Sequence, residues 1–159
     1  MKSGMLGIGG VVIAAVMATS AIGDGHADKA IAAAVKARQS QMTLYAFNLG
    51  LLGGMAKGEI DYDASSASAA ASNLAALAKL DQSRLWPQGS DSDALGLDTT
   101  KAAPAIWMAG STAGEKGKAL AMAAVALEDA AGGGLESLRG AMGAVGKSCG
   151  ACHESYRLK

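Results

Sequence analysis

From Leu135 to Tyr156 an apolar or sulfur-bearing residue falls at every third or fourth position: Leu135, Leu138, Met142, Val145, Cys149, Cys152 and Tyr156. Steps of three and four are the spacing of one face of an α-helix. The stripe therefore predicts a helix with one buried seam, and the chain's two cysteines both lie on it. His153 follows the second of them directly. Cys149-Gly150-Ala151-Cys152-His153 is thus a C-x-x-C-H motif, the pattern of covalent c-type haem attachment. Residues three and four apart share a helix face. Two thiols placed so can form thioether links to the two vinyl groups of one porphyrin, while the imidazole reaches the iron as an axial ligand.

Other readings of the motif fit less well. A disulfide between Cys149 and Cys152, on consecutive turns of one helix, would be strained and would constrain little. A structural zinc site needs about four Cys or His ligands, and the only other histidine is His26. A thioredoxin-like pair expects a strand and a βαβ context, and nothing strand-like surrounds this one. A haem-free thiol-disulfide protein is the remote alternative.

The first residues read as a targeting segment. Lys2 gives a positive start, Met5 to Met17 is apolar apart from glycines, and Ala18-Thr19-Ser20-Ala21 is small. This predicts a signal peptide over residues 1–21, cut after Ala21 or as late as Ala27. The apolar run falls short of the roughly 20 residues that span a bilayer, so no membrane attachment is expected after cleavage. Export suits the haem motif, because c-type haem is attached outside the bacterial cytoplasm; the expected compartment is the periplasm. Residues 28–159 then form one domain of ordinary size.

Fourteen Lys and Arg balance fourteen Asp and Glu. With no basic block or aromatic-basic interleaving, nucleic acid is not an expected partner. One Phe, two Trp and three Tyr make a thin core for this length, and a buried porphyrin would supply the missing apolar bulk.

Three further helices are predicted, and no strand. The first spans about Asp28 to Lys57, with Ile31, Val35, Arg38, Met42, Tyr45, Leu49 and Leu52 on its stripe, and Gly58 as its stop. The second follows over about Ala64 to Leu80. Asp81 to Ser111, with Pro87, Gly89, Gly96 and Pro104, reads as a long connection that crosses the bundle and walls the cofactor. Pro104 to Trp107 would be a short helical turn within it. The third helix runs from about Thr112 to Ala131, before Gly132-Gly133-Gly134. The expected fold is all-α, an antiparallel four-helix bundle with haem c on its C-terminal helix.

These landmarks together resemble class II cytochromes c, the cytochrome c' family, itself a standard example of the four-helix bundle. The ending Cys149 to His153 followed by Tyr156-Arg157, the Arg38-Gln39 pair, Met55 to Gly58, Tyr62-Asp63 and Ala103 to Trp107 carry the resemblance. It implies one covalent haem on Cys149 and Cys152, with His153 as the axial iron ligand. It implies that Arg38 and Gln39 lie at the propionate edge, with Lys101 reaching the same edge and Arg157 beside the axial ligand. An Arg within an apolar stripe agrees, because a buried guanidinium needs an anionic partner; for Arg157, the carbonyls of a helix C-terminus are the competing role. Tyr156 is expected to pack in the core.

Met42, four residues after Arg38 on one stripe, is expected to face the interior. In the resembling family the matching position stands over the distal face of the haem. As a sixth ligand its thioether would favour reduced iron and suit single-electron transfer. As a mere cover it would leave a five-coordinate, high-spin iron open to NO or CO. The first reading is thus a periplasmic electron carrier exchanging electrons with redox partner proteins, and the second a gas-binding protein. No Ser/His/Asp set or acid/base carboxylate pair appears, so an enzyme is not expected. Small residues on the first two helices (Ala46, Gly50, Ser68, Ser72) permit a homodimer.

Overall fold

The computed structural model describes the backbone from Ala21 and the side chains from Gly25 to Lys159. Of the predicted signal segment (1–21), residues 1–20 lie outside the described residues. Five helices follow: α1 (Ala21–Lys57), α2 (Ala64–Lys79), a short α3 (Ser92–Leu95), α4 (Ala113–Ala131) and α5 (Leu135–Tyr156). The four long ones pack as an antiparallel bundle. No strand occurs among the described residues; a single antiparallel bridge joins Ala102 to Arg157.

Small side chains decide how closely these helices approach. The inner face of α2 is Ala67, Ala70, Ala71, Leu74, Ala75 and Ala78, spaced at helical periods. Against it α4 sets Ala123, Ala124, Leu127 and Ala131. Where the end of α4 meets the start of α2, a Cβ on Gly132 would press on the Ser68 hydroxyl, which would have to turn aside. The larger core side chains are few: Tyr45, Leu52, Met55, Leu74, Leu127, Leu138 and Val145.

Both chain reversals at one end are tied together. The Asp63 carboxylate caps α2 by accepting from Ser66 N at 2.7 Å. Tyr62 Oη donates to Ala131 O (2.8 Å) and accepts from Gly134 N (3.0 Å), pinning the α1–α2 turn to the α4–α5 turn.

Two expectations are refined, one on α1 and one on α5. Met42 stands at the edge of the buried arc of this helix: it is 38 % exposed, while Gln41 and Asn48 are buried. A step of four residues over-rotates a helix by about 40°. The buried arc follows Ala34, Gln41, Tyr45, Asn48 and Leu52, which leaves Met42 on its rim. Counting apolar residues misses Gln41 and Asn48, which are held inside by hydrogen bonds. Gln41 Nε2 donates to Leu77 O at 2.9 Å, and Asn48 takes part in a side-chain pair with Asn73 at 3.2 Å. Tyr156 also departs from the core. Its Oη accepts from Thr112 N at 2.8 Å, meeting an N–H at the start of α4, because the last turn of α5 rises past the level of the packed core.

Candidate functional site

Cys149 and Cys152 stand as free, half-buried thiols on the inner side of α5. Cys149 packs against the core cluster, and burial pushes both thiols above their ordinary pKa. Tyr45 of α1 stands close to Cys149, so α5 presents its cysteines to the middle of α1. The Tyr45 phenol is pushed up to about 12, mainly by burial and then by Cys149, against a hydrogen bond with Gln82.

That shift makes a pH prediction. The fold favours the protonated phenol, so its contribution is complete below pH 10, the ordinary tyrosine value, and is lost as the pH rises towards 12. It amounts to roughly 2 to 3 kcal/mol. In a spectrophotometric titration, Tyr45→Phe should remove the phenolate that appears last. Loss of one that appears near pH 10 would contradict the burial.

His153 follows Cys152 on the same turn and is exposed. Burial of part of its ring, and then the charge of Arg157, hold its pKa below the ordinary value. Both effects favour the neutral imidazole, the form that ligates a metal. Around it a cleft of about 500 Å³ is lined by Lys101, His153, Glu154, Arg157, Leu158 and Lys159. Arg157 is the C-cap of α5 and its side chain is exposed; Lys101 Nζ donates to Lys159 O at 3.3 Å.

Arg38 is 3 % exposed and is held by the long connection. It donates to Ser90 Oγ at 2.7 Å and Thr100 Oγ1 at 2.8 Å, and also to Ser90 O and Leu85 O. Its guanidinium carbon lies 4.7 Å from the Trp86 ring centre, a cation–π contact. Burial lowers its pKa, while Asp91 pulls it back up. Its hydrogen-bond partners are neutral oxygens, and no carboxylate bonds it among the described residues. Gln39, next in sequence but exposed, donates to Thr99 O at 2.8 Å. Trp86 in turn accepts at its carbonyl from Trp107 Nε1 (3.1 Å), and the two rings are 6.3 Å apart.

The connection is also fastened to the end of α5. Ala103 N donates to Tyr156 O at 3.0 Å and Leu158 N to Lys101 O at 2.8 Å, either side of the Ala102–Arg157 bridge. Sequence reading missed this strap and the roles of Ser90, Thr100 and Trp86. The available signal was Arg38 itself, since a guanidinium on a buried stripe requires acceptors somewhere, and the Ser/Thr-rich connection is their natural source.

The donor set fits a covalently bound haem. Two half-buried, free thiols on one helix face adjoin a neutral imidazole, and a buried cation lies on the facing helix. Gln41 Oε1 is a buried acceptor without a partner on the same stretch of α1. No group of three His, Cys, Asp or Glu that could hold a bare metal ion occurs among the described residues.

A four-helix bundle with C-x-x-C-H at the end of its last helix defines a c-type haem protein of the bundle class. The family model for cytochrome C' matches residues 33–157, and the chain belongs to the cytochrome c' family. Cytochrome c-554 of Cereibacter sphaeroides is 46 % identical over 126 residues, covering 79 % of this chain and 80 % of that one. The solved cytochrome c' from Rhodobacter Spheriodes is 41 % identical with a TM-score of 0.77, over 81 % of this chain and 98 % of that one. A nitric oxide complex of a mutant cytochrome c prime from Alcaligenes xylosoxidans is 36 % identical with a TM-score of 0.68, over 79 % and 94 %. Membership brings one covalent haem c to this chain.

Proposed function

We propose that this chain, after removal of residues 1–21, is a periplasmic haem protein with Cys149 and Cys152 as thioether attachments and His153 as axial ligand. Met42 covers the opposite face, which takes a small neutral gas such as NO or CO. The observation that carries this reading is the pair of half-buried free thiols on the inner side of α5 with His153 beside them. When bound, the haem supplies a one-electron couple and a coordination position on its far face. The protein's own residues set what reaches it. Arg38, a buried cation bonded to neutral oxygens, and Gln39 are suited to the propionate edge, with Lys101 and Arg157 at its exposed side. The nitric oxide complex of the Alcaligenes relative supports gas binding.

A second reading rests on Met42, which stands on α1 one turn from Tyr45, the residue beside Cys149. Its thioether would then be a sixth ligand and the protein an electron carrier. The optical spectrum of the protein from a host with haem-attachment machinery separates the two. Broad high-spin bands that shift with CO support the open face. Sharp low-spin bands with a sulfur-to-iron band support ligation. No haem at all would sink both. Met42→Ala should leave the ferrous spectrum nearly unchanged in the first case; conversion from low to high spin would establish Met42 as a ligand.

Homodimer formation through α1 and α2 is part of the proposal. The small residues Ala46, Gly50, Ser68 and Ser72 are exposed on these helices. Beside them Leu44, Phe47 (77 % exposed) and Leu80 border a shallow groove of about 380 Å³ that also includes Asn48, Asn73, Ala76 and Leu77. A patch of this kind needs cover. Sedimentation at rising concentration should show a dimer that Phe47→Glu abolishes, and a wild type that stays monomeric would reject it.

A further inference from the structure

This chain has one Phe, two Trp and three Tyr, and both Trp share one row with Tyr45. The row starts beside Cys149. Tyr45 belongs to the core cluster against which Cys149 packs, and its hydroxyl meets the Gln82 side chain. Gln82 Oε1 accepts from Trp86 Nε1 at 3.4 Å, so one amide bridges the phenol and the indole. The Trp86 and Trp107 rings follow, 6.3 Å apart and inclined by 50°. Trp107 Nε1 donates to Trp86 O, which fixes the second ring against the first residue. Trp107 is partly exposed, and Met108 after it is 62 % exposed. The row thus runs from the thiol side of α1 to the surface of the connection.

Tyrosine and tryptophan give up a single electron far more readily than phenylalanine or any aliphatic side chain. The surroundings also grade this row. The Arg38 guanidinium lies 4.7 Å from the Trp86 ring centre, and a fixed positive charge there opposes a second positive charge on that ring. It is the one cation–π contact found among the described residues, and it falls on Trp86 rather than on Trp107. An electron vacancy that enters at Tyr45 or Trp86 is therefore more stable on Trp107, at the surface end. The same Arg38 places Trp86 beside the propionate edge, so the row has two points of entry from the haem side.

We propose that Tyr45, Trp86 and Trp107 form a relay that carries oxidising equivalents out of the haem pocket and discharges them at Trp107. The oxidant is hydrogen peroxide, small enough for a face that takes diatomic gases. The relay rests on the haem reading above. Each peroxide takes up two electrons and two protons and leaves as two waters. Trp107 supplies both electrons, one at a time, releases two protons to solvent and gains one oxygen atom from water on its indole. The iron ends in the oxidation state in which it began.

Peptide mass spectrometry of the haem-loaded ferric protein after equimolar peroxide tests this. The expected result is one added oxygen on Trp107, in roughly tenfold excess over Trp86 because of the charge on Arg38. Met108 and Met122, 62 % and 68 % exposed, report direct attack by peroxide on the surface. Both should be oxidised as readily when Cys149→Ala and Cys152→Ala together leave no attached haem, while Trp107 stays intact. Trp86→Phe removes the middle of the row and should take away most of the Trp107 adduct. Trp107→Phe keeps a ring in place and should move the oxygen to Trp86 and Tyr45, a change that a purely structural tryptophan would not produce. Equal modification of the two tryptophans, a Trp107 adduct unchanged by Trp86→Phe, or one that forms equally without haem would overturn the relay. The pyridine haemochrome of the same samples separates the two ways of failing. A chain without haem sinks the haem reading and the relay with it, whereas a haem-loaded chain whose Trp107 stays unmodified sinks the relay alone.

Discussion

Replacing Cys149 and Cys152 together by alanine should abolish the haem that survives acid–acetone extraction, taking it from one per chain to none. The thioether links are covalent, whereas a His153–iron bond is broken when acid protonates the imidazole. Either single variant keeps one link and should retain haem through the same treatment, with an altered pyridine haemochrome spectrum because one vinyl group stays free. The fold should survive the change. Cys149 is half-buried at the edge of the core, and losing a sulfur atom there costs about 1 kcal/mol. Circular dichroism of the double variant should therefore stay helical while the extractable haem changes completely. Haem that resists extraction from the double variant would overturn the attachment.

The same cysteines show how much of the molecule was readable beforehand. The stripe that carries them predicts Leu135 to Tyr156, and α5 spans Leu135–Tyr156. Its limits are sharp because three glycines precede it and the chain leaves helical geometry at Arg157. The limits of α2 and α4 fall within one residue of expectation, at Lys79 and Ala113. For α1 the stop near Gly58 was legible, since that residue adopts φ +78, a left-handed conformation that favours glycine. The expected start at Asp28 gives way to helix already at Ala21, the first described residue, so the helix runs through Gly23, Asp24 and Gly25, residue types that ordinarily mark a break or a cap.

The site divides in the same way. The motif is local, so Cys149, Cys152 and His153 are assembled by one helix and read directly from spacing. What meets them is assembled by tertiary contacts. Residues 81–111 contain a 3-10 turn at Ser83–Leu85, the short α3 and a 3-10 turn at Pro104–Trp107. Only the last was expected, from its proline. The hydrogen bonds that carry Ser90 and Thr100 to Arg38 span 52 and 62 residues of sequence, beyond the reach of any periodicity. Met42 lies at the rim of the buried arc, because Gln41 takes the inward position through a bond to the Leu77 carbonyl.

Arg38→Ala should destabilise the protein by about 3 kcal/mol, and the loss should be concentrated in the connection between α2 and α4. The guanidinium is the one group that links α1 to Ser90, Thr100 and the Trp86 ring at once. Removing it leaves Thr100 Oγ1 and the Ser90 carbonyl without their charged donor, and it opens a space under an indole. Hydrogen bonds to a charged donor contribute about 1.5 to 3 kcal/mol each, but burial of the cation itself opposes them. The net is accordingly set well below their sum. Arg38→Lys should recover little, since a single ammonium cannot reproduce a planar fork that meets two oxygens on each side of it. Denaturant unfolding should show the lower midpoint with an unchanged slope. Hydrogen exchange should speed up at Ser92 and Ala103, whose amides bond Ala102 O and Tyr156 O across the strap. That second readout ties α1 to His153 mechanically: a connection released at Arg38 loosens its hold on the last turn of α5. A midpoint loss worth less than about 1 kcal/mol, or exchange unchanged at both amides, would mean that the connection is held by Trp107 and the Ala102–Arg157 bridge without help from α1.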